Sequence, residues 1–353
     1  MKRGFLAYSR IFVGAALGVF AALGIFTCPP GINVAHADET AAPANVTAPT
    51  CLIKGTAPPP KSMAVYDAAS GGEIIAKLTG AFIPMTLSEI PFDPKTGRAR
   101  LQTSSGTGAM RIEGYVASAD MPVFTTRDIS IYGGNIWLSS AQKVRLVKAT
   151  QESLTVEINV AGTLNQTIRA TAPCDAFSLS KKNPEALEVP EKARGYMTKK
   201  ETVELFDKPN GDVIFTLTMM EGTGQLFWST ESKAGFVHVT SRGDLTIDAW
   251  ARYRDLDPLK KGEMVDQYIA PEKQTAGAQL SFDKPPPVVR ATRPIPIRAK
   301  RDEKAKIVGT VEVDAEIYIL ETVAGWTNIL PKHLGIVAPE DGGFWIPAAE
   351  APK

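Results

Sequence analysis

The sequence predicts an all-β protein built from four small modules, and three observations support this prediction. Short runs of β-branched and aromatic residues are separated by Gly, Asp, Asn and Pro, as expected for strands joined by tight turns. No segment of the body sustains a helical period. A pattern of apolar and aromatic positions also recurs along the chain, which indicates repeated units of about 60 residues.

The composition is that of a folded protein without an excess of either charge. The chain has 353 residues, of which 44% are hydrophobic and 22% charged, and this balance excludes a mainly disordered protein. Lys and Arg number 39 and Asp and Glu 38, so the formal net charge is +1. A chain with so little net charge has no overall positive electrostatic potential that would attract a polyanion. We therefore expect no nucleic-acid partner.

Residues 1–37 are predicted to be a secretory signal peptide. Lys2 and Arg3 form a positive start, Ile11 to Phe26 is almost wholly apolar, and Ala35-His36-Ala37 provides a small-x-small cleavage site. The apolar stretch of 16 residues is shorter than the about 20 that span a bilayer. We therefore expect cleavage before Asp38, a secreted or periplasmic protein, and no transmembrane segment after cleavage.

The cysteines favour a disulfide over a lipid anchor. Acylation at Cys28 is disfavoured because Phe26 and Thr27 replace the small residues expected before an acylated cysteine and Pro29 follows it. Cleavage before Asp38 leaves Cys51 and Cys174, and an oxidising compartment favours a bond between them. Two unpaired thiols are the alternative reading.

The body divides at segments rich in Pro, Ala and charge. Residues 38–61 form a predicted tether that ends in three prolines, and residues 257–287 form a predicted linker that also ends in three prolines. Between and after these segments lie block 1 (62–121), block 2 (122–180), block 3 (194–256) and block 4 (288–348). Within the blocks, sequences such as Asn210-Gly211 favour the tight turns of β-hairpins.

The recurring pattern resembles the bacterial SH3-like domain family. Block 4 carries Ile297-Arg298, Gly325-Trp326 and a closing Gly343-Phe344-Trp345, and block 3 carries Leu205-Phe206, Gly235-Phe236 and Ala249-Trp250 in parallel. Block 1 follows the pattern more loosely and block 2 only faintly. The resemblance implies a tandem array of four small SH3-like β-barrels with Pro-rich linkers. Such modules occur on secreted and envelope proteins, where binding roles are more usual than catalysis.

The residues that common cell-wall hydrolases need are missing from the sequence. Cys174 has no histidine close in sequence, and His238 and His333 lie in different blocks, so neither a thiol enzyme nor a zinc amidase is indicated. The sequence contains no Gly-x-Ser-x-Gly elbow, no P-loop and no dinucleotide fingerprint. We therefore expect a non-catalytic protein without a metal or another cofactor. A hydrolase that uses two carboxylates is the alternative.

The candidate binding residues are aromatic or basic. Trp228 and Trp326 are candidates for a shallow groove that takes a peptide or glycan, and strand alternation should send one of Phe227 and Trp228 out of the core. Trp345 joins them from the closing motif of block 4. Arg298 lies in a basic run from Arg290 to Lys306, which is either a solvated turn or a contact for anionic envelope polymers or lipid headgroups.

Together these features predict a non-catalytic binding or scaffolding protein of the cell envelope. The expected partner is peptidoglycan or another envelope protein, bound by shallow contacts on several modules. Besides the hydrolase, a structural component that assembles with copies of itself is an alternative.

Overall fold

The computed structural model describes residues 51–57, 62–79, 83–105, 108–160, 166–260, 282, 284–332 and 335–353. Residues Thr47–Lys353 form one compact unit. In the described ranges every regular element is a strand or a 3₁₀ turn of three residues, which confirms the all-β prediction. The predicted signal peptide, Cys28 and most of the tether and linker lie outside the described residues. None of the helical turns in the described ranges has the length or apolar character needed to cross a bilayer.

The strands number 27 in the described residues and are labelled in chain order. Block 1 and the segment before it contain β1 (Ile53–Ala57), β2 (Met63–Tyr66), β3 (Ile74–Leu78), β4 (Ile83–Ser88), β5 (Arg98–Ser104) and β6 (Met110–Ala117). Block 2 contains β7 (Val123–Thr125), β8 (Ile129–Tyr132), β9 (Ile136–Leu138), β10 (Lys143–Ala149), β11 (Ser153–Val160), β12 (Gln166–Pro173) and β13 (Phe177–Ser178).

The second half of the chain adds fourteen strands. Those of block 3 and its end are β14 (Arg194–Thr198), β15 (Thr202–Phe206), β16 (Val213–Thr218), β17 (Leu226–Lys233), β18 (Phe236–Arg242), β19 (Leu245–Arg252) and β20 (Leu256–Pro258). Those of block 4 are β21 (Val288–Arg290), β22 (Ile295–Arg298), β23 (Ile307–Val311), β24 (Glu316–Val323), β25 (Trp326–Pro331), β26 (Ile336–Val337) and β27 (Phe344–Pro347).

The same order of elements occurs four times. A leading strand is followed by a hairpin, a three-strand antiparallel meander and a 3₁₀ turn, and in block 4 the short strand β26 is inserted between the second and third meander strands. The leading strand always pairs with the first meander strand, in the pairs β1–β4, β7–β10, β14–β17 and β21–β24. The first hairpin strand pairs with the last meander strand in blocks 1, 3 and 4, and β8 contacts β12 in block 2. The recurring sequence pattern therefore corresponds to a recurring strand order.

The strands of the four blocks are distributed over three sheets. One sheet of 13 strands holds β1–β6 and β21–β27, a second of five strands holds most of block 2, and a third of nine strands joins β8 and β9 to block 3. None of these sheets closes into a barrel, so the prediction of four closed barrels is not confirmed. The leading strand β1 lies within the segment 38–61, and the last two residues of β20 lie within 257–287.

Blocks 1 and 4 are joined edge to edge, although their paired strands lie far apart in the sequence. Strand β6 pairs antiparallel with β23, and Gly309 lies opposite Ile112. Strand β26 pairs in the same way with β3. A Cβ atom at Gly309 would lie 2.2 Å from the carbonyl oxygen of Arg111, so glycine is required for the approach of the two strands. The first and last blocks therefore share a continuous backbone ladder.

The predicted disulfide is present and ties the segment before block 1 to the end of block 2. Cys51 and Cys174 are bonded across a separation of 123 residues, with a Cα–Cα distance of 5.5 Å. The amide of Leu179 donates a hydrogen bond of 3.0 Å to the carbonyl oxygen of Lys54. The amide of Thr56 donates to Oγ of Ser180 at 2.6 Å. A disulfide of this kind is consistent with an oxidising extracellular or periplasmic location.

Two hairpins of blocks 3 and 4 turn through the same dipeptide, Ala-Gly. Ala234 and Gly235 have φ values of 52° and 81°, and Ala324 and Gly325 have 49° and 80°. Val323 pairs with Trp326 across the turn, so only two residues connect the strands. Two-residue hairpins with both φ angles positive prefer Asn-Gly, because alanine in the left-handed region is strained by its Cβ.

The Ala-Gly turn provides a test of this geometry. We expect Ala324→Asn to raise the free energy of unfolding by about 0.5–1 kcal/mol and Gly325→Ala to lower it by about 1 kcal/mol. Chemical denaturation measures both values. Ala234→Asn is the matched variant in block 3 and should act in the same direction. A destabilising effect of both asparagine variants would contradict the turn geometry.

Candidate functional site on the outer face of block 3

The nine-stranded sheet has one face on the core and one face outside it. Along β19 the residues alternate between buried and half-buried, with Ile247, Ala249 and Ala251 directed to the core and Asp248 and Trp250 to the other side. The outer face of block 3 is defined by Phe206, Trp228, Phe236, His238, Asp248 and Trp250. Phe206 and Phe236 are 4% and 7% exposed, yet they lie outside the main hydrophobic core. The outer face of block 3 therefore carries an aromatic cluster that is separate from the main hydrophobic core.

Strand register brings these side chains into two neighbouring rows. In the first row Trp228 lies opposite Thr240, and Thr240 lies opposite Asp248. The second row runs in the same way from Glu231 through His238 and Trp250 to Phe206. From the usual strand spacing and rise, Trp228 and Trp250 lie about 12 Å apart, which is the length of about four extended peptide residues.

His238 links the aromatic and charged parts of the face. Its Nε2 atom lies 2.7 Å from Oδ1 of Asp248. Its ring stacks on Trp250, with 4.9 Å between ring centroids and 24° between the planes. The side chains of His238 and Asp248 are 32% and 50% exposed, so a ligand could reach the ring and the outer part of the carboxylate, whereas Oδ1 of Asp248 is itself buried. The imidazole and the carboxylate could exchange hydrogen bonds with hydroxyl or amide groups of a ligand.

An aromatic pair and an arginine close one end of the face. Phe206 and Phe236 meet edge to face, with ring centroids 5.2 Å apart. The guanidinium of Arg252 lies 4.6 Å from the centroid of Phe206 and forms an ion pair of 2.6 Å with Glu204. The Arg252 side chain thus covers the aromatic pair, and the accessible part of the face begins at Trp250.

Trp228 forms the other end of the face and is half-buried. It lies opposite Gly195 on β14. A Cβ atom at Gly195 would lie 3.0 Å from Leu259 and 3.5 Å from the Trp228 ring, so the glycine leaves room for both side chains. Phe227, the neighbour of Trp228, is fully buried in the core. Alternation therefore directs Phe227 inward and Trp228 outward, and Phe227 is not available to a ligand.

The other predicted binding residues lie on the corresponding face of block 4. Arg298 lies opposite Trp345, and Trp326 lies opposite Pro347 near the Ala-Gly turn. Trp345 is only 8% exposed, and the guanidinium of Arg301 lies 5.1 Å from its ring centroid. Block 4 has a row of side chains equivalent to the second row of block 3. It consists of Glu321, Asn328 and Trp345, at the positions that Glu231, His238 and Trp250 hold in block 3. Trp228 is thus separated from Trp326, Trp345 and Arg298.

The basic run of block 4 makes several contacts within the protein. Lys300 forms an ion pair of 2.6 Å with Glu73, and Lys306 donates a hydrogen bond to the carbonyl oxygen of Asp67, both in block 1. Arg298 donates to the carbonyl oxygen of Ala305. Two cations of this run therefore join block 4 to block 1, a role that neither sequence interpretation of the run included.

Sequence reasoning missed the central pair of the site, His238 and Asp248. The alternation of His238 and Thr240 with valines on β18 is a signal that could have placed His238 on an outer face, whereas Trp250 was recognised only as part of the closing motif. The missing information was the register that sets β18 beside β19. In the described residues no group of three or more His, Cys, Asp or Glu side chains could hold a metal ion.

The chain has no match that could indicate a ligand for this face. No protein-family model, no curated protein and no solved structure matches it. The function of the aromatic face is therefore inferred from its own geometry and from the compartment that the disulfide favours.

Proposed function

We propose that the protein is a non-catalytic binding protein of the cell envelope, and that the outer face of block 3 binds peptidoglycan. The observation that carries this proposal is the placement of Trp228 and Trp250 at two ends of one open face with His238 and Asp248 between them. Flat aromatic rings stack on the apolar faces of sugar rings, while a carboxylate and an imidazole bond to hydroxyl and amide groups.

The compartment and the repeated architecture support the same proposal. The Cys51–Cys174 bond favours an oxidising compartment, and the first 37 residues have the pattern of a signal peptide. We also propose that each block is an SH3-like unit, because leading strand, hairpin, meander and 3₁₀ turn recur in the same order. If several blocks bind the same polymer through equivalent faces, their weak individual affinities combine into a higher overall affinity.

A binding assay with purified cell-wall sacculi tests the proposed ligand. We expect the chain from Asp38 onward to be retained in a manner that resists salt, because stacking is less sensitive to ionic strength than ion pairing. Trp228→Ala and Trp250→Ala should each lower the affinity about tenfold, since a stacked ring contributes on the order of 1.5 kcal/mol. Tyr132→Ala removes another exposed aromatic ring and should change nothing.

Three outcomes would contradict the proposal. Retention that is lost in moderate salt and is unchanged in both tryptophan variants would show that the face does not bind sacculi. Release of soluble wall fragments by the wild-type chain would favour the hydrolase. Capture of a protein component of the envelope in place of sacculi would favour the scaffolding role. Because Trp250 packs on His238, thermal unfolding of Trp250→Ala must be measured, and Trp228 at the other end of the face serves as the independent variant.

A further inference from the structure

We propose that a basic face on block 2, together with Phe92 of block 1, docks the protein on an anionic lipid surface. The basic face is defined by Lys143, Arg145, Lys148 and Arg169, which are exposed on β10 and β12. The proposal does not depend on block 3, because none of these residues belongs to its outer face.

The meander of block 2 has a strong excess of positive charge. Strands β10, β11 and β12 contain four cations and a single acid, Glu157. Glu157 lies between Arg145 and Arg169 in register, and its carboxylate bonds to both guanidinium groups, with 3.0 Å to Nε of Arg169. These bonds hold the pKa of Glu157 below its usual range. The sheet therefore presents three net positive charges to solvent.

Both arginines remain accessible while they contact Glu157. The side chain of Glu157 is 5% exposed, whereas those of Arg145 and Arg169 are 54% and 63% exposed. The carboxylate thus fixes one contact of each guanidinium group and leaves both arginine side chains largely open to solvent. A planar guanidinium with open donors binds phosphate oxygens well.

Phe92 adds an apolar anchor beside the basic face. It is 67% exposed, more than any other large hydrophobic residue described. The ammonium group of Lys148 lies 4.8 Å from the centroid of its ring. The carbonyl oxygen of Phe92 also accepts a hydrogen bond of 3.2 Å from the amide of Ala149 on block 2. Aromatic ring and cations are therefore adjacent parts of one surface.

The loop that carries Phe92 is held in place rather than loose. The amide of Gly97 donates a hydrogen bond of 3.2 Å to the carbonyl oxygen of Asp93, and the amide of Lys95 donates to Oδ1 of Asp93 at 3.0 Å. A Cβ atom at Gly97 would lie 2.4 Å from Pro91. Since the loop is fixed by these contacts, the exposure of the ring is built into the fold.

A lipid surface explains the combination better than a soluble anion does. Cations alone would suffice for a soluble polyanion, whereas an exposed phenylalanine gains free energy only when an apolar phase receives it. Anionic headgroups attract the cations, and the ring enters the boundary between headgroups and acyl chains. Glu152 is exposed in the turn between β10 and β11 and adds a negative charge to the same hairpin, so it provides a site for a variant that strengthens binding.

Sedimentation with lipid vesicles tests the proposal on the chain from Asp38 onward. We expect binding to vesicles of phosphatidylglycerol and phosphatidylcholine, and weak binding to phosphatidylcholine alone. Lys143→Gln and Lys148→Gln should each lower the affinity about fivefold, and Glu152→Lys should raise it by a similar factor. Phe92→Ala should lower it about tenfold and Phe92→Trp should preserve it, because both aromatic side chains favour the interface.

Matched substitutions elsewhere control for unspecific effects. Lys208→Gln removes an exposed charge on block 3, and Ile307→Ala truncates an apolar side chain that is 52% exposed, so neither should alter binding. Equal binding to both vesicle types would overturn the proposal. A second pair of results would also overturn it: Phe92→Ala binds vesicles like the wild type, and the lysine variants lose affinity for soluble heparin as well as for vesicles. Together these results would assign the face to a soluble polyanion.

Discussion

Replacing both Cys51 and Cys174 by serine is expected to lower the free energy of unfolding by about 4–5 kcal/mol. A bond across 123 residues restricts the unfolded chain, and the chain-entropy model assigns a loop of about this length close to 5 kcal/mol. Thermal and denaturant unfolding of the variant and the wild type measure the difference. The effect should be among the largest of any pair of substitutions that leaves the core intact.

The disulfide prediction has internal controls. Reduction of the wild type should reproduce the destabilisation of the double variant, and reduction of the double variant should change nothing. Hydrogen exchange should increase first in β1, because the bond and the contacts of Lys54 and Thr56 attach this strand to the end of block 2. A double variant as stable as the oxidised wild type would show that the bond contributes no net stability.

Gly309→Ala is expected to disrupt the junction of blocks 1 and 4 and to destabilise the protein by about 3 kcal/mol or more. The new Cβ would lie 2.2 Å from a backbone oxygen of β6, and backbone cannot rotate away as a side chain can. Strands β6 and β23 must therefore separate locally, which breaks the ladder opposite Ile112. Hydrogen exchange at the amides of β6 and thermal unfolding measure the two effects.

A second glycine provides the control for Gly309. Gly243 lies in the turn between β18 and β19, a Cβ atom there would meet nothing within 4 Å, and its φ is not positive. Gly243→Ala should be neutral or slightly stabilising, because it restricts the unfolded chain without a clash. If the two alanine variants behaved alike, close strand contact at Gly309 would not be important for the junction.

Local patterns predicted the elements well, because strand alternation and turn residues act over a few positions. The split of Phe227 and Trp228 between core and surface, the turn at Asn210 in block 3 and the cysteine pair are of this kind. Pairing between distant segments could not be predicted in this way. Nothing in the short sequence around Gly309 indicates that it lies against Arg111, because that contact depends on the placement of whole blocks.

The candidate site shows the same division between local and distant information. Trp228 was predicted from its own neighbourhood, whereas the pairing of His238 with Asp248 depends on the register of β18 and β19. The basic run near Arg298 illustrates the converse. Its composition indicated an electrostatic surface, but Lys300 and Lys306 contact groups in block 1 that lie more than 200 residues away in sequence.

The shared sheet of blocks 1 and 4 has a consequence for the order in which the protein can fold. Strand β6 gains its neighbour β23 only after the chain has been synthesised past Val311. Until then, the edge of β6 that pairs with β23 has no partner strand from block 4. An open edge of this kind can pair with another chain. Products that end before Ile307 should therefore associate through the residues of β6, whereas the full chain covers this edge with its own C-terminal block.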